Sequence, residues 1–184
     1  MVDDIVQAEP IILAPLLREE GEKKAARKQR YNPYEIRTIH PADVSQWEAK
    51  GWEAFKLNKQ STKIRRRKTH DRLLEDRMWA LFNRMGYDIL SGDRFIVSFV
   101  RDNGTAGKKQ IDVFAMNSET AFVIECKSRE EKGRRNLQKD LHETTMLQKY
   151  LGLSINSLHK QLYGKASPKI VWVYATSNIL WSEP

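Results

Sequence analysis

The order of helical and strand-like segments between residues 69 and 177 is the feature that most constrains the fold. Apolar residues recur at helical spacing over 71–85, and Gly86 ends the predicted helix. Runs rich in β-branched and aromatic residues, which predict strands, follow at 94–101, 110–116 and 120–127. Because only short turns separate these runs, we expect an antiparallel meander.

A second helical region and a last strand complete the pattern. Helical spacing predicts helices over about 136–151 and 155–163. The run at 169–176 contains almost no polar residues, which predicts a strand buried on both faces. The resulting order, α-β-β-β-α-β, predicts an α/β sandwich in which helices flank a mixed β-sheet.

The segments that precede this core differ from it in composition. Residues 1–30 predict a helical, basic appendage, and residues 31–68 predict a small aromatic and basic subdomain or arm, so the core spans 69–184. Within the middle segment, Asp43 to Lys50 has the pattern of a short helix, and Gly51 has the pattern of its C-terminal stop.

Composition and charge restrict the class of protein. The chain carries 32 Lys and Arg against 24 Asp and Glu, a formal net charge of +8. Its single cysteine, Cys126, excludes a disulfide framework and a cysteine-based zinc site, and is typical of a reducing compartment. No apolar stretch approaches the roughly 20 residues of a membrane span, and Asp3 and Asp4 stand where a signal peptide would be basic. We therefore expect a soluble, cytoplasmic protein with an anionic partner.

The excess positive charge is concentrated in two blocks. Residues 22–30 hold five basic side chains and one acidic one, and residues 56–68 hold seven basic side chains and no acidic one. Such blocks are typical of a solvated linker, of a nuclear-localisation signal or of a surface that binds nucleic-acid phosphates. The candidates for phosphate contact are Lys56, Lys59, Lys63, Arg65, Arg66, Arg67 and Lys68. Nearby, Trp47 and Trp52 would either stack on bases or pack within the subdomain.

Charged residues interrupt two of the predicted strands. In the run 120–127, alternation places Glu125 and Lys127 on one face of the strand and Cys126 on the other. Asp112 lies among apolar residues of the preceding run, so pairing of the two strands would bring it to the same face as Glu125. Ionised groups in such strands are costly unless they are paired, bound to a metal or at an exposed strand end.

A further carboxylate belongs to the predicted first helix. Glu75 precedes Met78, Trp79 and Phe82 by three, four and seven residues, which places it on the apolar stripe that faces the sheet. Two or three carboxylates with one lysine suit a Mg²⁺ or Mn²⁺ site. Such an ion activates water for phosphodiester hydrolysis, and Lys127 would position that water or help to deprotonate it.

The spacing acid-x-Lys is not specific by itself, because the chain contains it four times. Glu130 and Lys132, for example, have the same spacing as Glu125 and Lys127. Only the latter pair ends an apolar strand-like run, and only this pair follows a strand with an acid at its centre.

With these residues, the region 69–177 resembles the PD-(D/E)xK nuclease superfamily, whose fold is called restriction-endonuclease-like. Asp112 matches the first aspartate of the motif, with isoleucine in place of the preceding proline, Glu125 matches the D/E position and Lys127 the lysine. Glu75, eleven residues before Gly86, resembles the first-helix glutamate of the Mrr and archaeal junction-resolvase branches.

The resemblance implies roles for these residues. Asp112, Glu125 and the backbone carbonyl of Cys126 would bind the metal ion, and Glu75 would assist or hold a second ion. Gln148 matches a glutamine that some branches carry in the helix after the catalytic strand. More faintly, residues 34–90 resemble the N-terminal part of DGQHR-type proteins associated with DNA sulfur modification, which implies a module of a larger DNA modification or defence system.

Each site residue also has a purely structural interpretation. Glu125 and Lys127 would form an ion pair at a strand end, and Asp112 would bond loop backbone. Glu75 would be a first-turn acid favoured by the helix dipole. Cys126 is expected to be a small buried hydrophobe and not a nucleophile.

The sequence therefore predicts a Mg²⁺- or Mn²⁺-dependent DNA endonuclease that hydrolyses phosphodiester bonds. A non-catalytic DNA-binding or assembly module with the same fold is one alternative, and a nuclease acting on RNA is another. DNA is the expected partner, with no membrane involved, and a homodimer or membership of a larger system is left open.

Overall fold

A computed structural model describes residues 15–164 and 167–181, so residues 1–14 of the predicted appendage lie outside the described residues. The helices are α1 (Glu20–Tyr31), α2 (Val44–Glu48), α3 (His70–Arg84) and α4 (Gln138–Tyr163). The strands are β1 (Leu16–Leu17), β2 (Tyr34–Ile39), β3 (Glu53–Leu57), β4 (Thr62–Arg67), β5 (Ile89–Ser91), β6 (Ile96–Val100), β7 (Ala106–Gln110), β8 (Val113–Met116), β9 (Thr120–Arg135) and β10 (Lys169–Trp181).

The main sheet has the strand order β1-β5-β8-β9-β10 among the described residues. Its neighbouring strands pair antiparallel, except that β9 and β10 are parallel. Read along the chain, α3-β5-β8-β9-α4-β10 has the predicted order α-β-β-β-α-β. The prediction of an α/β sandwich with a mixed sheet is confirmed.

The first strand of the meander is not the predicted one. Residues 89–91 form the strand that pairs with β8, whereas the predicted run 94–101 forms β6, which pairs with β7 in a separate hairpin. The physical reason is that this run is fully buried on one face only: Phe95, Val97 and Phe99 are buried in the core beneath α4, whereas Ile96 and Ser98 are half-buried and Val100 is exposed. The run 110–116 is likewise divided, because Asp112 lies between β7 and β8.

Each face of the main sheet is covered by one helix. Leu74, Trp79 and Phe82 of α3 pack with Val113 and Ile124 on one face. On the other face, Leu151 and Ile155 of α4 pack with Phe114, Val123 and the hairpin. Burial of a large apolar side chain contributes about 1.5–3 kcal/mol, so these two cores hold the layers together. The helix predicted over 71–85 and its end at Gly86, whose φ is 80°, are confirmed.

Of two predictions about the C-terminal elements, the first is wrong and the second is met only in part. The helices predicted over 136–151 and 155–163 are one continuous helix of 26 residues, in which Gly152 is accommodated against Ile170. The strand predicted to be buried on both faces, β10, lies at the edge of the sheet, and residues 170–177 are all half-buried. Both of its faces contact core residues, but its outer edge has no neighbouring strand among the described residues.

Residues 31–68 form mainly a small antiparallel sheet with the order β2-β4-β3, joined to α2. The helix predicted from Asp43 to Lys50 is confirmed as α2, preceded by a short 3₁₀ turn, and Gly51 has a positive φ of 79°. Within residues 15–164 and 167–181, no helix is both long and apolar enough to cross a membrane.

Candidate active site

The candidate site lies beside the first residue of β8, where the antiparallel strand β9 extends beyond its pairing with β8. The pairing of these strands begins at Val113 and Ile124, so β9 residues beyond Ile124 have no backbone partner in β8. The side chain of Asp112 replaces that partner, since the backbone N–H of Cys126 donates to its Oδ2 at 2.8 Å. The N–H and C=O of one strand residue point to the same edge, so the Cys126 carbonyl is directed toward Asp112 as well.

Alternation along β9 distributes the charged residues as the sequence predicts. Val123 belongs to the core on the α4 side, and Ile124 and Cys126 belong to the core on the α3 side. Glu125 and Lys127 therefore lie on the α4 side. Glu125 is only 5% exposed, so its carboxylate is withdrawn from solvent within β9, just beyond the part of the strand that pairs with β8.

Two lysines contact the Glu125 carboxylate. Lys109 Nζ lies 3.6 Å from Oε1, and Lys127 Nζ lies 3.9 Å from Oε2. Each lysine also reaches α4: Lys109 Nζ lies 3.6 Å from Glu143 Oε1, and Lys127 Nζ lies 3.5 Å from Asp140 Oδ1. The ammonium groups therefore bridge the buried carboxylate to the first two turns of α4.

Burial and like charge act together on the carboxylates. Burial raises the pKa of Glu125, the Asp112 charge raises it further, and Lys109 and Lys127 offset part of the effect. Burial also raises the pKa of Glu75, again with a contribution from Asp112, while Arg72 opposes it. Asp112 is therefore close enough to act on both Glu125 and Glu75.

Glu75 approaches from the opposite layer to α4. It lies in the second turn of α3, whereas the acid of the first turn is Asp71, so the helix-dipole interpretation of Glu75 does not hold. Its Oε2 accepts from Arg72 at 3.1 Å. Burial raises the pKa of the Cys126 thiol above its ordinary range, which agrees with the expectation of a buried hydrophobe and not a nucleophile.

The oxygen donors at the site suit one hard cation. In the part of the chain that the structure describes, no group of three or more His, Cys, Asp or Glu side chains is placed to hold a metal ion. Asp112 and Glu125 with the Cys126 carbonyl remain as donors, and Mg²⁺ characteristically takes one or two carboxylates and completes its shell with water and phosphate. The donor set thus fits Mg²⁺ or Mn²⁺ without Glu75 as a direct ligand.

Sequence reasoning missed the residues that complete this cluster. They are Lys109 from β7, Asp140 and Glu143 from α4, and Tyr174 from β10. Tyr174 is the register partner of Glu125, and its hydroxyl donates to the Asp140 carbonyl at 2.8 Å and is hydrogen-bonded to Thr144. The spacing of Asp140, Thr144 and Gln148 on one helical stripe was an available signal. Gln148 is half-buried, one turn after Thr144.

The predicted phosphate-binding residues lie on β3, on β4 and in the turn between them, but they are not equivalent. Lys56, Lys59, Lys63 and Arg67 are exposed, while Arg65 and Arg66 pair with Glu53 and Glu35. Lys68 is different: it is buried, and its Nζ lies 2.6 Å from Asp76 Oδ2 and donates to the carbonyls of Gln29 and Arg30. All three of its protons are used, so Lys68 must be removed from the set of phosphate contacts.

The two tryptophans pack against each other. Trp47 and Trp52 meet edge to face with ring centroids 5.4 Å apart, and Trp52 is 4% exposed. The side chain of Arg37 lies over both rings. This arrangement supports the packing interpretation of Trp52 and leaves little of its ring free for a base.

Comparisons with known proteins do not assign a family. No family model matches the chain, and no curated protein matches it. Among solved structures, the crystal structure of protein VC1899 from Vibrio cholerae aligns with 14% sequence identity over 83% of this chain, with a TM-score of 0.34. The chain spans 39% of that protein's length. A TM-score this low identifies neither fold nor function.

The raised pKa of Glu125 predicts a gain in stability when its charge is removed. A carboxyl whose pKa is higher in the folded than in the unfolded chain binds its proton more tightly when folded, so its contribution to stability falls as pH rises from about 4.5 through the folded pKa. We expect Glu125→Gln to raise the thermal melting temperature at about pH 8, and the difference from wild type to shrink toward about pH 4. Glu130→Gln, at an exposed position of the same strand, is the control and should change little at either pH. A melting temperature lower than wild type at alkaline pH would contradict the prediction.

Proposed function

We propose that this protein is a metal-dependent endonuclease that hydrolyses phosphodiester bonds of DNA in the cytoplasm. The observation that carries the proposal is the state of Glu125: a buried carboxylate beside Asp112, with two lysine ammonium groups within 4 Å. Burial and the Asp112 charge both disfavour its ionised form, so the arrangement costs stability. Carboxylates whose pKa is shifted by burial and by a neighbouring charge are characteristic of functional sites.

Each residue of the site has a chemical task in this proposal. Asp112, Glu125 and the Cys126 carbonyl would hold Mg²⁺ or Mn²⁺, which when bound polarises a phosphoryl oxygen and lowers the pKa of water. Lys127 orients the attacking water and adds positive charge beside the phosphoryl oxygens, on which negative charge develops. Lys109, on the other side of Glu125, adds a second cation for the phosphate. Glu75 contributes negative charge from α3 and is positioned by Arg72.

A non-catalytic nucleic-acid-binding module is the second candidate, and one observation favours it. Lys109 and Lys127 already neutralise Glu125, and Glu143 and Asp140 occupy the other side of each lysine. A cluster balanced in this way needs no external cation to be stable. RNA as the substrate would use the same residues.

Cleavage under defined metals separates these candidates. We expect wild-type protein with Mg²⁺ or Mn²⁺ to cut at least one of plasmid, linear duplex, branched or single-stranded DNA, and EDTA to stop the reaction. Salt-sensitive binding of these substrates without cleavage under either metal would favour the binding module. Cleavage of RNA alone, in the same sequences, would show that RNA is the substrate and would not contradict the proposed mechanism.

Metal binding can be tested without activity. A ligand that binds only the folded state stabilises it by about 2.7 kcal/mol at 100 times its Kd. We expect Mg²⁺ or Mn²⁺ to raise the melting temperature of wild type, and this shift to be lost in Asp112→Asn. Ca²⁺, which prefers more ligands than these donors supply, should give a smaller shift. Equal shifts for wild type and Asp112→Asn would place the metal elsewhere.

A further inference from the structure

The small sheet of β2, β4 and β3 has one covered face and one open face. On one face, the strand register places Arg37 beside Ile64 and Glu35 beside Arg66. Helix α2 covers this face, and the side chains of Arg37 and Arg66 lie over the tryptophan rings. The alternate residues form the opposite face. We call it the open sheet face, and it comprises Tyr34, Ile36, Thr38, Glu53, Phe55, Lys56, Lys63, Arg65 and Arg67.

Apolar and aromatic groups on the open sheet face are left in contact with solvent. Ile36 is 48% exposed and Phe55 is 43% exposed, although both sit in the middle of strands. The Arg65 guanidinium lies 4.7 Å from the ring centroid of Tyr34 and 5.7 Å from that of Phe55, so the three groups form a row across the sheet. A row of two aromatic rings with a guanidinium between them can bind a partner through stacking and cation–π contacts.

The charge of the open sheet face is strongly positive. Lys56, Lys63 and Arg67 are exposed, and Arg65 is the only one of its four cations paired with the single acid of the face, Glu53, at 3.2 Å. This face therefore complements an anionic polymer. Beside it, Tyr34 and Ile36 also line a cavity of about 800 Å³ between α1, β2 and residues 92–94, which gives the surface a concave margin.

We propose that the open sheet face binds unpaired nucleotides, with bases stacked on Tyr34 and Phe55 and phosphates held by Lys56, Lys63 and Arg67. Phe55 is exposed and Tyr34 is half-buried. Accessible rings among cations recognise single strands, because only an unpaired base presents its face for stacking. A duplex would offer phosphates to the lysines but nothing to the rings. This inference rests on the proposed function and names its substrate class: nucleic acid with a single-stranded segment.

Binding measured without metal tests the inference separately from cleavage. Fluorescence anisotropy in EDTA with the Lys127→Ala variant would compare a labelled single-stranded oligonucleotide with a duplex of the same length. We expect tighter binding of the single strand, and a loss of roughly tenfold in affinity for each ring removed in Tyr34→Ala and Phe55→Ala. Tyr34→Phe and Phe55→Tyr keep the rings and should keep the affinity. Lys56→Gln with Lys63→Gln should reduce the slope of log affinity against log salt by about 1.4.

The outcomes separate the proposal from its rivals. Phe55 is exposed, so Phe55→Ala should melt like wild type, and its affinity remains interpretable even where Tyr34→Ala unfolds. Duplex bound more tightly than single strand, or Phe55→Ala binding like wild type, would overturn the inference. Equal affinity for a poly-glutamate peptide would overturn it too, in favour of an acidic protein partner. Cleavage of duplex DNA by an otherwise wild-type protein that fails this binding test would leave the proposed function intact.

Discussion

Replacement of Lys127 with alanine is expected to slow metal-dependent DNA cleavage by about 10²- to 10⁴-fold, the range over which a positioned proton-transfer or charge-stabilising group acts. The Lys127 ammonium lies 3.9 Å from Glu125 and 3.5 Å from Asp140, so it is held between β9 and α4 beside the carboxylates. Its loss leaves Lys109 beside Glu125, and the fold should persist. Single-turnover cleavage with saturating Mg²⁺ measures the effect.

The chain supplies a matched control for this experiment. Lys132 follows Glu130 at the same spacing and in the same strand, but both residues are exposed. Lys132→Ala should therefore cleave like wild type. An unchanged single-turnover rate in Lys127→Ala would contradict the mechanism. Equal reductions of the rate in Lys127→Ala and Lys132→Ala would show that Lys127 acts only through the general charge of the strand. Lys109→Ala is expected to fall between the two, because Lys109 contacts the same carboxylate from β7.

Replacement of Asp76 with asparagine is expected to lower the free energy of unfolding by about 3–5 kcal/mol, since it leaves buried cations without their counter-charge. Asp76 is 3% exposed. Its carboxylate lies 3.0 Å from Arg30 of α1, 2.6 Å from Lys68 after β4, and 3.7 Å from Arg72. Burial lowers the pKa of Arg30, and the Asp76 charge opposes that shift. One carboxylate thus ties α1 and the end of β4 to α3.

Urea unfolding followed by circular dichroism measures this loss. Glu35→Gln is the control, because it removes a half-buried partner of the exposed Arg66, and ion pairs at the protein surface contribute about 0–1 kcal/mol. A loss of under about 1 kcal/mol for Asp76→Asn would contradict the prediction. A combined replacement of Asp76, Arg30 and Lys68 by apolar residues should recover part of the stability, because no buried charge is then unpaired.

Much of the site was accessible from short-range pattern. Alternation of apolar and charged residues in 120–127 was sufficient to place Glu125 and Lys127 on one face, and the acid within the preceding apolar run identified Asp112. The predicted face assignment is confirmed, whereas a metal ion at the site and the PD-(D/E)xK resemblance remain predictions. The bond that Asp112 makes with the Cys126 N–H was foreseen only in kind, as a bond to loop backbone; its actual partner is a strand residue 14 positions away.

Other features depended on contacts between residues distant in sequence. Lys109 reaches Glu125 only because the β6–β7 hairpin packs under α4, and nothing in the local pattern of residues 106–110 distinguishes it from an exposed lysine. In sequence, Lys68 does not differ from the other cations of residues 56–68, but it is buried through its contact with the Asp76 carboxylate of α3. The apolar run of β10 predicted a strand buried on both faces, yet its residues are only half-buried, because β10 lies at the edge of the sheet.

Composition by itself determined the excess of positive charge. The sequence pattern determined two periodic features, the amphipathic helix α3 and the face occupied by residues 122–127 of β9. These follow from fixed geometry, 3.6 residues per helical turn and two per strand repeat, so neighbours in sequence are sufficient to define them. The tertiary structure alone decided which strands are adjacent, which lysines neutralise Glu125, and which face of the small sheet remains open. Those outcomes depend on packing between segments that are distant in sequence, and the free energy of that packing cannot be inferred from a local pattern.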